Sequence, residues 1–350
     1  MQPSRTTIAD VAHRAGVSMM TVSRVVNNKD GVSPATRQRI RLIINELGYR
    51  PSGIARGLAT QRTGTLGLVV PDVANPFFSD VVHGAEQIAY QQNYSLLLCN
   101  TEEDPQRELD VLQLLEEKRV DGIVVCSSRL APEMLRQALA HYPAAVLVNQ
   151  QLKPLENQQA KPAEGTSLVG AILLDDELGG QLATSHLIRR GHRGIGFLSG
   201  PATSFSGQRR GRGYRSTLVA AGIKQLPGWS QPCRPTVEGG VQASRILLNQ
   251  HPELTAILCY NDLVAVGALQ TAAVLGRRVP EDLAVIGYDD IHLAALVTPA
   301  LTTCRVDREA LGERATTLLL RHLSASPGSD SLGWETITLE PELIIRASAP

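Results

Sequence analysis

The chain has 350 residues, 43% of them apolar, with 34 basic and 34 acidic side chains. It is too long for one typical domain and apolar enough for buried cores, yet no apolar run approaches the roughly 18 residues of a membrane span. The opening MQPSRTTIAD lacks the apolar core of a signal peptide, so a cytoplasmic location is expected. The zero net charge is unevenly distributed. Residues 1–63 hold ten Arg or Lys against three acids, a balance of +7, while the remainder holds 24 against 31, a balance of −7. A basic head on an acidic body is the electrostatic footprint of a module that binds duplex nucleic acid.

The head is legible in chain order. Thr7–Asn27, TIADVAHRAGVSMMTVSRVVN, reads as two short helices separated by Gly16-Val17-Ser18, the spacing of a helix-turn-helix. Thr7 and Asp10 have capping-box spacing, and Ile8, Val11, Ala12 and Ala15 form one apolar face. Gly16 permits the turn and Ser18 caps the second helix. Val22, Val25 and Val26 point inward there, leaving Met19, Met20, Ser23, Arg24 and Asn27 outward. A third helix starts at Ser33-Pro34 and ends at Gly48, with Ile40, Ile43, Ile44 and Leu47 closing a small core. Tyr49–Gly64 then joins head to body, and its Ser52–Ala59 segment is a weak helix because Gly53 and Gly57 each cost about 1 kcal/mol against Ala. Such a segment suits a switch, helical when docked on DNA.

From Thr65 short apolar runs alternate with amphipathic stretches. Strands are expected at Leu66–Val70, Leu96–Cys99, Ile123–Cys126, Ala145–Val148, Ile172–Leu174, Ile195–Leu198, Ile257–Cys259 and Val285–Ile286. Helices are expected at Phe78–Gln92, Arg107–Lys118, Pro132–Ala140, Gly179–Arg190, Val241–Asn249 and Asp262–Leu275. The alternation calls for parallel sheets covered on both faces. There are too many units for one small sheet, and the polar stretch Gln150–Gly165 falls midway, so two doubly wound lobes are expected, with ligand where their strand ends meet. Ser324–Leu332 reads as a surface loop. The five cysteines, Cys99, Cys126, Cys233, Cys259 and Cys304, and the scattered histidines show no metal-ligand spacing; the thiols read as buried.

The segments IADVAHRAGVSMMTVSRVVN, VSPATRQRI, LGYRPSGIARGLA, GLVVPDVANPFF, RVDGIVV, RGHRGIGFLSGP, CYND, VPEDLAVIGYDD and TPALTT, taken in order, resemble the lactose-repressor/galactose-repressor family of bacterial transcription regulators over essentially the full length. The resemblance implies an α/β protein: a helix-turn-helix head at 1–50, a hinge helix at 51–63 and a two-lobed, doubly wound body at 64–350 similar to periplasmic sugar-binding proteins. The N-lobe is expected to take 64–163 and 293–322, the C-lobe 164–292 and 323–346. It also implies that Met19–Asn27 enters the major groove, where Met19 and Met20 read bases by van der Waals contact and Arg24 reads guanine O6/N7. Thr21, Ser23 and Asn27 then contact phosphate or sugar; Thr7 and Ser18, with Ala55 and the minor-groove wedge Leu58 of the hinge, complete the DNA-binding set.

By the same resemblance the cleft is lined by Asn75, Phe77 and Phe78 after the first body strand, by Arg210 as a fork for hydroxyls or carboxylate, and by Asn261 and Asp289, with Gln150, Asp175 and Ser206 as further candidates. Asn149-Gln150 departs from the acid-arginine pair of pentose-binding relatives. Pro235 falls near a position often aromatic, and Val306 where many carry glutamine. A small carbohydrate is the favoured effector, with a nucleoside or purine second; no cofactor and no metal are expected. Without the leucine-heptad tail of tetrameric relatives the chain is expected to be a homodimer, facing a pseudo-palindromic operator on double-stranded DNA, with no membrane partner. G-x-S-x-G, G-x-x-x-x-G-K-[ST] and H-E-x-x-H are absent, and Gly194-Ile195-Gly196 opens a strand instead of following one, so an enzyme is not expected. A sugar transport receptor would leave the basic head unexplained.

Overall fold

In the computed structural model, which describes residues 6–50, 62–152, 168–325 and 334–350 (Leu168 and Val169 as backbone only), three helices make up the head. These are α1 (Ile8–Ala15), α2 (Met19–Val26) and α3 (Pro34–Glu46). Their ends follow the side chains that cap them. Asp10 accepts the Thr7 N–H at 2.7 Å while Thr7 Oγ1 accepts from the Asp10 N–H, closing the capping box. Gly16 turns the chain with φ +63°, Ser18 accepts from Thr21 N–H, and Ser33 caps α3 ahead of Pro34. Val11, Val22 and Ile40 meet with no exposed surface at the centre of the head core.

The chain divides into a head unit ending at Thr63 and a body unit starting at Gly64. The body's first sheet holds β1 (Thr65–Val70), β2 (Ser95–Asn100), β3 (Gly122–Cys126), β4 (Ala145–Val148), β5 (Leu168–Leu174) and β11 (Glu335–Leu339), in the order β11-β5-β4-β3-β1-β2 and all parallel. The second holds β6 (Ile195–Leu198), β7 (Ser230–Gln231), β8 (Ala256–Cys259), β9 (Ala284–Asp289), β10 (Thr302–Arg305) and β12 (Glu342–Ile344), in the order β12-β10-β9-β8-β6-β7, with only β12 antiparallel. Helices α4 (Pro76–Gln91), α5 (Pro105–Glu117), α6 (Pro132–Leu139) and α12 (Arg308–Ser324) serve the first sheet. Helices α7 (Asp176–Arg189), α8 (Phe205–Ala220), α9 (Val237–Gln250), α10 (Asp262–Val274) and the short α11 (His292–Leu296) serve the second. Among the described residues no helix is long and apolar enough to cross a membrane.

The lobe boundaries differ from those expected. Leu168–Leu174 was assigned to the C-lobe but pairs with β4, and Glu335–Leu339 pairs with β5, so both belong to the N-lobe sheet. Thr302–Arg305 was assigned to the N-lobe but pairs with β9. Strand patterning reports that a segment is buried in a parallel sheet, not which sheet it joins. Among the described residues the chain therefore crosses between lobes three times, at Asp175, at Val306–Asp307 and at Glu340–Pro341.

Helices α8 and α12 were not among those expected, and for α8 the cause is glycine. Gly207, Gly211 and Gly213 make α8 a poor helix on propensity, but they serve close packing. A Cβ on Gly213 would stand 2.0 Å from the Glu177 carbonyl oxygen of α7, and one on Gly180 of α7 would stand 2.3 Å from Arg210 O. The same reciprocal contact recurs between α4 and α12, where a Gly312 Cβ would meet Val81 O at 2.0 Å. Gly213→Ala should gain about 1 kcal/mol of helix propensity and lose about 1–3 kcal/mol to overpacking against backbone that cannot move aside. A lower urea midpoint is expected for the variant; an unchanged or raised midpoint refutes the packing role.

Candidate functional site

On the head, α2 presents Met19 and Met20, 56% and 68% exposed, with Arg24 and Asn27 also at the surface. The neighbouring hydroxyls are engaged locally. Thr7 is held in its capping box, Ser18 caps α2 and lies 2.9 Å from Thr21 Oγ1, and the Asn27 amide donates to Ser23 O and Oγ at 2.9 and 3.2 Å. Thr21 and Ser23 are half-buried. Two arginines not singled out from the sequence order the turn after α2: Arg37 donates to Lys29 O at 2.6 Å, and Arg37 and Arg41 both reach Asn28 Oδ1. Ala55 and Leu58 lie outside the described residues.

In the body, the loops after β1, β2, β3 and β4 face those after β6, β8 and β9 across a cleft, so its walls are the carboxyl ends of strands from both sheets. The N-lobe wall carries Asn75, Phe77, Phe78, Glu103, Ser127, Arg129 and Asn149; the C-lobe wall carries Ser206, Arg210, Pro235, Tyr260, Asn261 and Asp289. The enclosed space is about 20 Å³, room for about one water molecule. At its mouth it gives way to a cavity of about 890 Å³ that shares Glu103 and Pro235 with it.

Arg210 organises the C-lobe wall. Its Nε donates to Asp176 Oδ1 at 2.8 Å and its Nη1 to Tyr260 O at 2.5 Å, while Nη2 lies 3.8 Å from Asp289 Oδ1. The guanidinium carbon sits 3.6 Å from the Tyr288 ring centroid, a cation–π contact. Burial works against its charge, but Asp176, Tyr288, Asp289 and Tyr260 together outweigh it and hold Arg210 above the ordinary arginine range. Burial pushes the Asp289 carboxyl up to about 7, against the pull of Arg210 and Arg308. Beneath it Asp262, which has no exposed surface, accepts from Thr303 Oγ1 at 2.6 Å and from Ile291 N–H at 2.8 Å. It thereby fixes the turn in which Asp289 and Asp290 take φ +104° and +51°. Arg308 of α12 ties this turn to the N-lobe, donating to Asp289 O and Asp290 O at 2.5 and 2.9 Å and to Asp80 at 2.7 Å.

Asn75, Phe77, Phe78, Ser206, Arg210, Asn261 and Asp289 thus line one cavity. Asn75 and Asn261 also cap α4 and α10, and the two phenyl rings meet edge to face, 5.0 Å apart. Gln150 and Asp175 do not line it. Asn149, with φ +52°, faces the cavity in place of Gln150, while Asp175 caps α7 and pairs with Arg209 at 3.2 Å. Sequence reasoning missed Arg129, Glu103, Tyr260, Asp176 and Asp262. Asp176 and Asp262 follow Asp175 and Asn261 directly, so the paired polar residues after a strand were the available signal. Asn149 Oδ1 and Ser206 Oγ are buried in the wall without a hydrogen-bond partner among the described residues, the kind of orphaned polar atom that a ligand satisfies. No group of His, Cys, Asp or Glu is placed to hold a metal among the described residues. Burial raises the Cys126 and Cys304 thiols to about 12 and Cys233 to about 11, which makes them poor nucleophiles.

Residues 7–52 match the model of "Bacterial regulatory proteins, lacI family" and residues 63–331 that of "Periplasmic binding proteins and sugar binding domain of LacI family". The chain belongs to the LacI family. It is similar to the HTH-type transcriptional repressor PurR of Mannheimia succiniciproducens, 35% identical over 98% of both chains. It is also similar to the ribose operon repressor of Escherichia coli, 36% identical over 98% of this chain and 99% of the other. Among solved structures, the Lac repressor dimer bound to operator and the anti-inducer ONPF superposes with a TM-score of 0.84, at 26% identity and 99% coverage of both chains. Membership in the LacI family makes this chain a DNA-binding transcriptional regulator and not an enzyme.

Proposed function

We propose that the chain is a homodimeric, cytoplasmic repressor whose affinity for a pseudo-palindromic operator is switched by a small carbohydrate held in the cleft. The cleft carries the reading. A guanidinium on α8 and a carboxylate at the end of β9, Arg210 and Asp289, stand 3.8 Å apart in a wall that, among the described residues, holds two unpartnered polar atoms, Asn149 Oδ1 and Ser206 Oγ, a set that matches vicinal hydroxyls as donors and acceptors. A thermal-shift screen of the purified chain against monosaccharides, disaccharides, nucleosides and purines tests this. At 100 times its dissociation constant a ligand adds about 2.7 kcal/mol. A sugar response is expected; a purine or nucleoside response with none from sugars refutes the carbohydrate reading.

On the head, Met19 and Met20 offer apolar contact to thymine methyls and Arg24 a fork for guanine. Arg24→Ala should cost about 1–3 kcal/mol on the operator and relax preference at one base pair, read by titration against an operator series. An equal loss on random DNA would move Arg24 to the phosphate backbone. We place Leu58 as a minor-groove wedge; Leu58→Ala should weaken operator binding while non-specific binding stays nearly intact, and parallel losses would sink that role.

A further inference from the structure

The N-lobe wall holds a second buried guanidinium that neither the sugar reading nor any sequence motif used. The Arg129 side chain is 3% exposed and the residue is seated from beneath: its backbone N–H donates to the buried Glu108 carboxylate at 2.8 Å, and its side-chain Nη1 to Ser127 O at 2.8 Å. Its counter-ion is less secure. Glu103 accepts from Nε and Nη2 at 2.5 and 3.1 Å, but is 21% exposed and stands on the rim shared by the inner cavity and the mouth. Glu102 and Glu103 have φ +54° and +62°, a region that L side chains disfavour and that structures retain at ligand clamps and switches. Arg210 is served by buried Asp176 and Asp289, both from its own lobe. The one carboxylate bonded to the Arg129 guanidinium stands at the edge of solvent, while Tyr260 and the buried Glu108 add to the support of its charge.

We propose that Arg129 is the seat for an anionic group of the effector, a phosphate or carboxylate on a small polyol, and that Glu103 is the exchangeable counter-ion that yields to it. The inference deepens the carbohydrate reading and rests on it. A guanidinium fork accepts either oxyanion bidentately. Exchanging one oxyanion for another keeps the buried cation paired, whereas a cationic effector would have to draw Glu103 away and leave Arg129 uncompensated.

The test is calorimetric titration of the full chain with D-ribose 5-phosphate, D-gluconate and D-ribose. At least one anion should bind tenfold or more tighter than D-ribose, the phosphate and carboxylate arms telling the two sources apart. Arg129→Met should collapse that ratio toward one. Glu103→Gln should raise it several-fold by removing the competitor, while Glu102→Gln, a more exposed acid next door, should leave it unmoved. Should Arg129→Met fail to fold, the comparison of the two glutamine variants decides. D-ribose binding as tightly as both anions, or the two glutamine variants shifting the ratio alike, overturns the proposal and leaves the carbohydrate reading standing. No heat from any of the three overturns the proposal, and the wider thermal-shift screen then decides the carbohydrate reading.

Discussion

Arg210→Ala should cost the body about 3–5 kcal/mol and abolish the effector response, because it removes one partner of a buried ion-pair network. The side chain is 5% exposed, Asp176 is 1% exposed and Asp289 6% exposed. Without the guanidinium both carboxylates stay buried with no counter-charge at their former partner's position, and the Tyr260 carbonyl loses its donor. The cost should depend on pH with a definite sign. Burial pushes the Asp289 carboxyl up to about 7 in the fold against 3.8 for an ordinary aspartate, and losing the downward pull of Arg210 raises it further. A carboxyl whose folded pKa is raised binds more protons folded than unfolded, so stability falls as pH rises from about 4 through the folded pKa. The gap between variant and parent should therefore widen from pH 5 to pH 8 in urea unfolding. A loss below about 1 kcal/mol at pH 8, or a gap that narrows with rising pH, would show that Arg210 is not the counter-charge of this wall. Arg210→Lys should recover part of the loss, since it keeps the charge but not the fork.

What the sequence disclosed depended on whether the controlling interaction was local. The head was legible because each of its signals acts within four residues: the Thr7–Asp10 box, the Ser18 and Ser33 caps and Gly16 in its left-handed turn. The early body strands were legible because fully buried parallel strands such as β3 and β4 are continuous apolar runs. Helix α8 was hidden because its glycines weaken it locally, and Gly213 among them is justified only by α7, more than twenty residues upstream. Lobe membership was hidden for the same reason, since the partners of β10 and β11 are set by long-range pairing. In the cleft, Arg210, Asn261 and Asp289 could be placed by their motifs, whereas Arg129 follows β3 in a stretch, SSRL, with no such signature. Its role emerges only when Glu103, 26 residues earlier, is brought against it.

Binding of a neutral sugar should weaken about 30-fold from pH 8 to pH 5.5 because Asp289 can accept sugar hydroxyls with both oxygens only as a carboxylate. Burial raises its pKa to about 7; Arg210 and Arg308 oppose that shift and Asp176 adds to it. The other groups facing it are Asp262, held well above the carboxylate range by burial and by Asp289 itself, and Tyr288, whose hydroxyl burial pushes up. Tyr288, raised from a value already above this interval, stays neutral between pH 5.5 and 8. With a pKa of about 7 the carboxylate fraction is roughly nine-tenths at pH 8 and about 3% at pH 5.5, and apparent affinity scales with the competent fraction. The binding-competent form is thus present above about pH 7 and lost as pH falls through it, where a carboxylate at its ordinary pKa would leave affinity flat over the same interval. Asp289→Asn separates this from any other titration: it should bind weakly and with no pH dependence, because the amide offers one acceptor and carries no charge. A parent affinity that does not change between pH 8 and 5.5 would place the carboxylate's titration below that window, with Arg210 holding Asp289 ionised and burial the weaker influence.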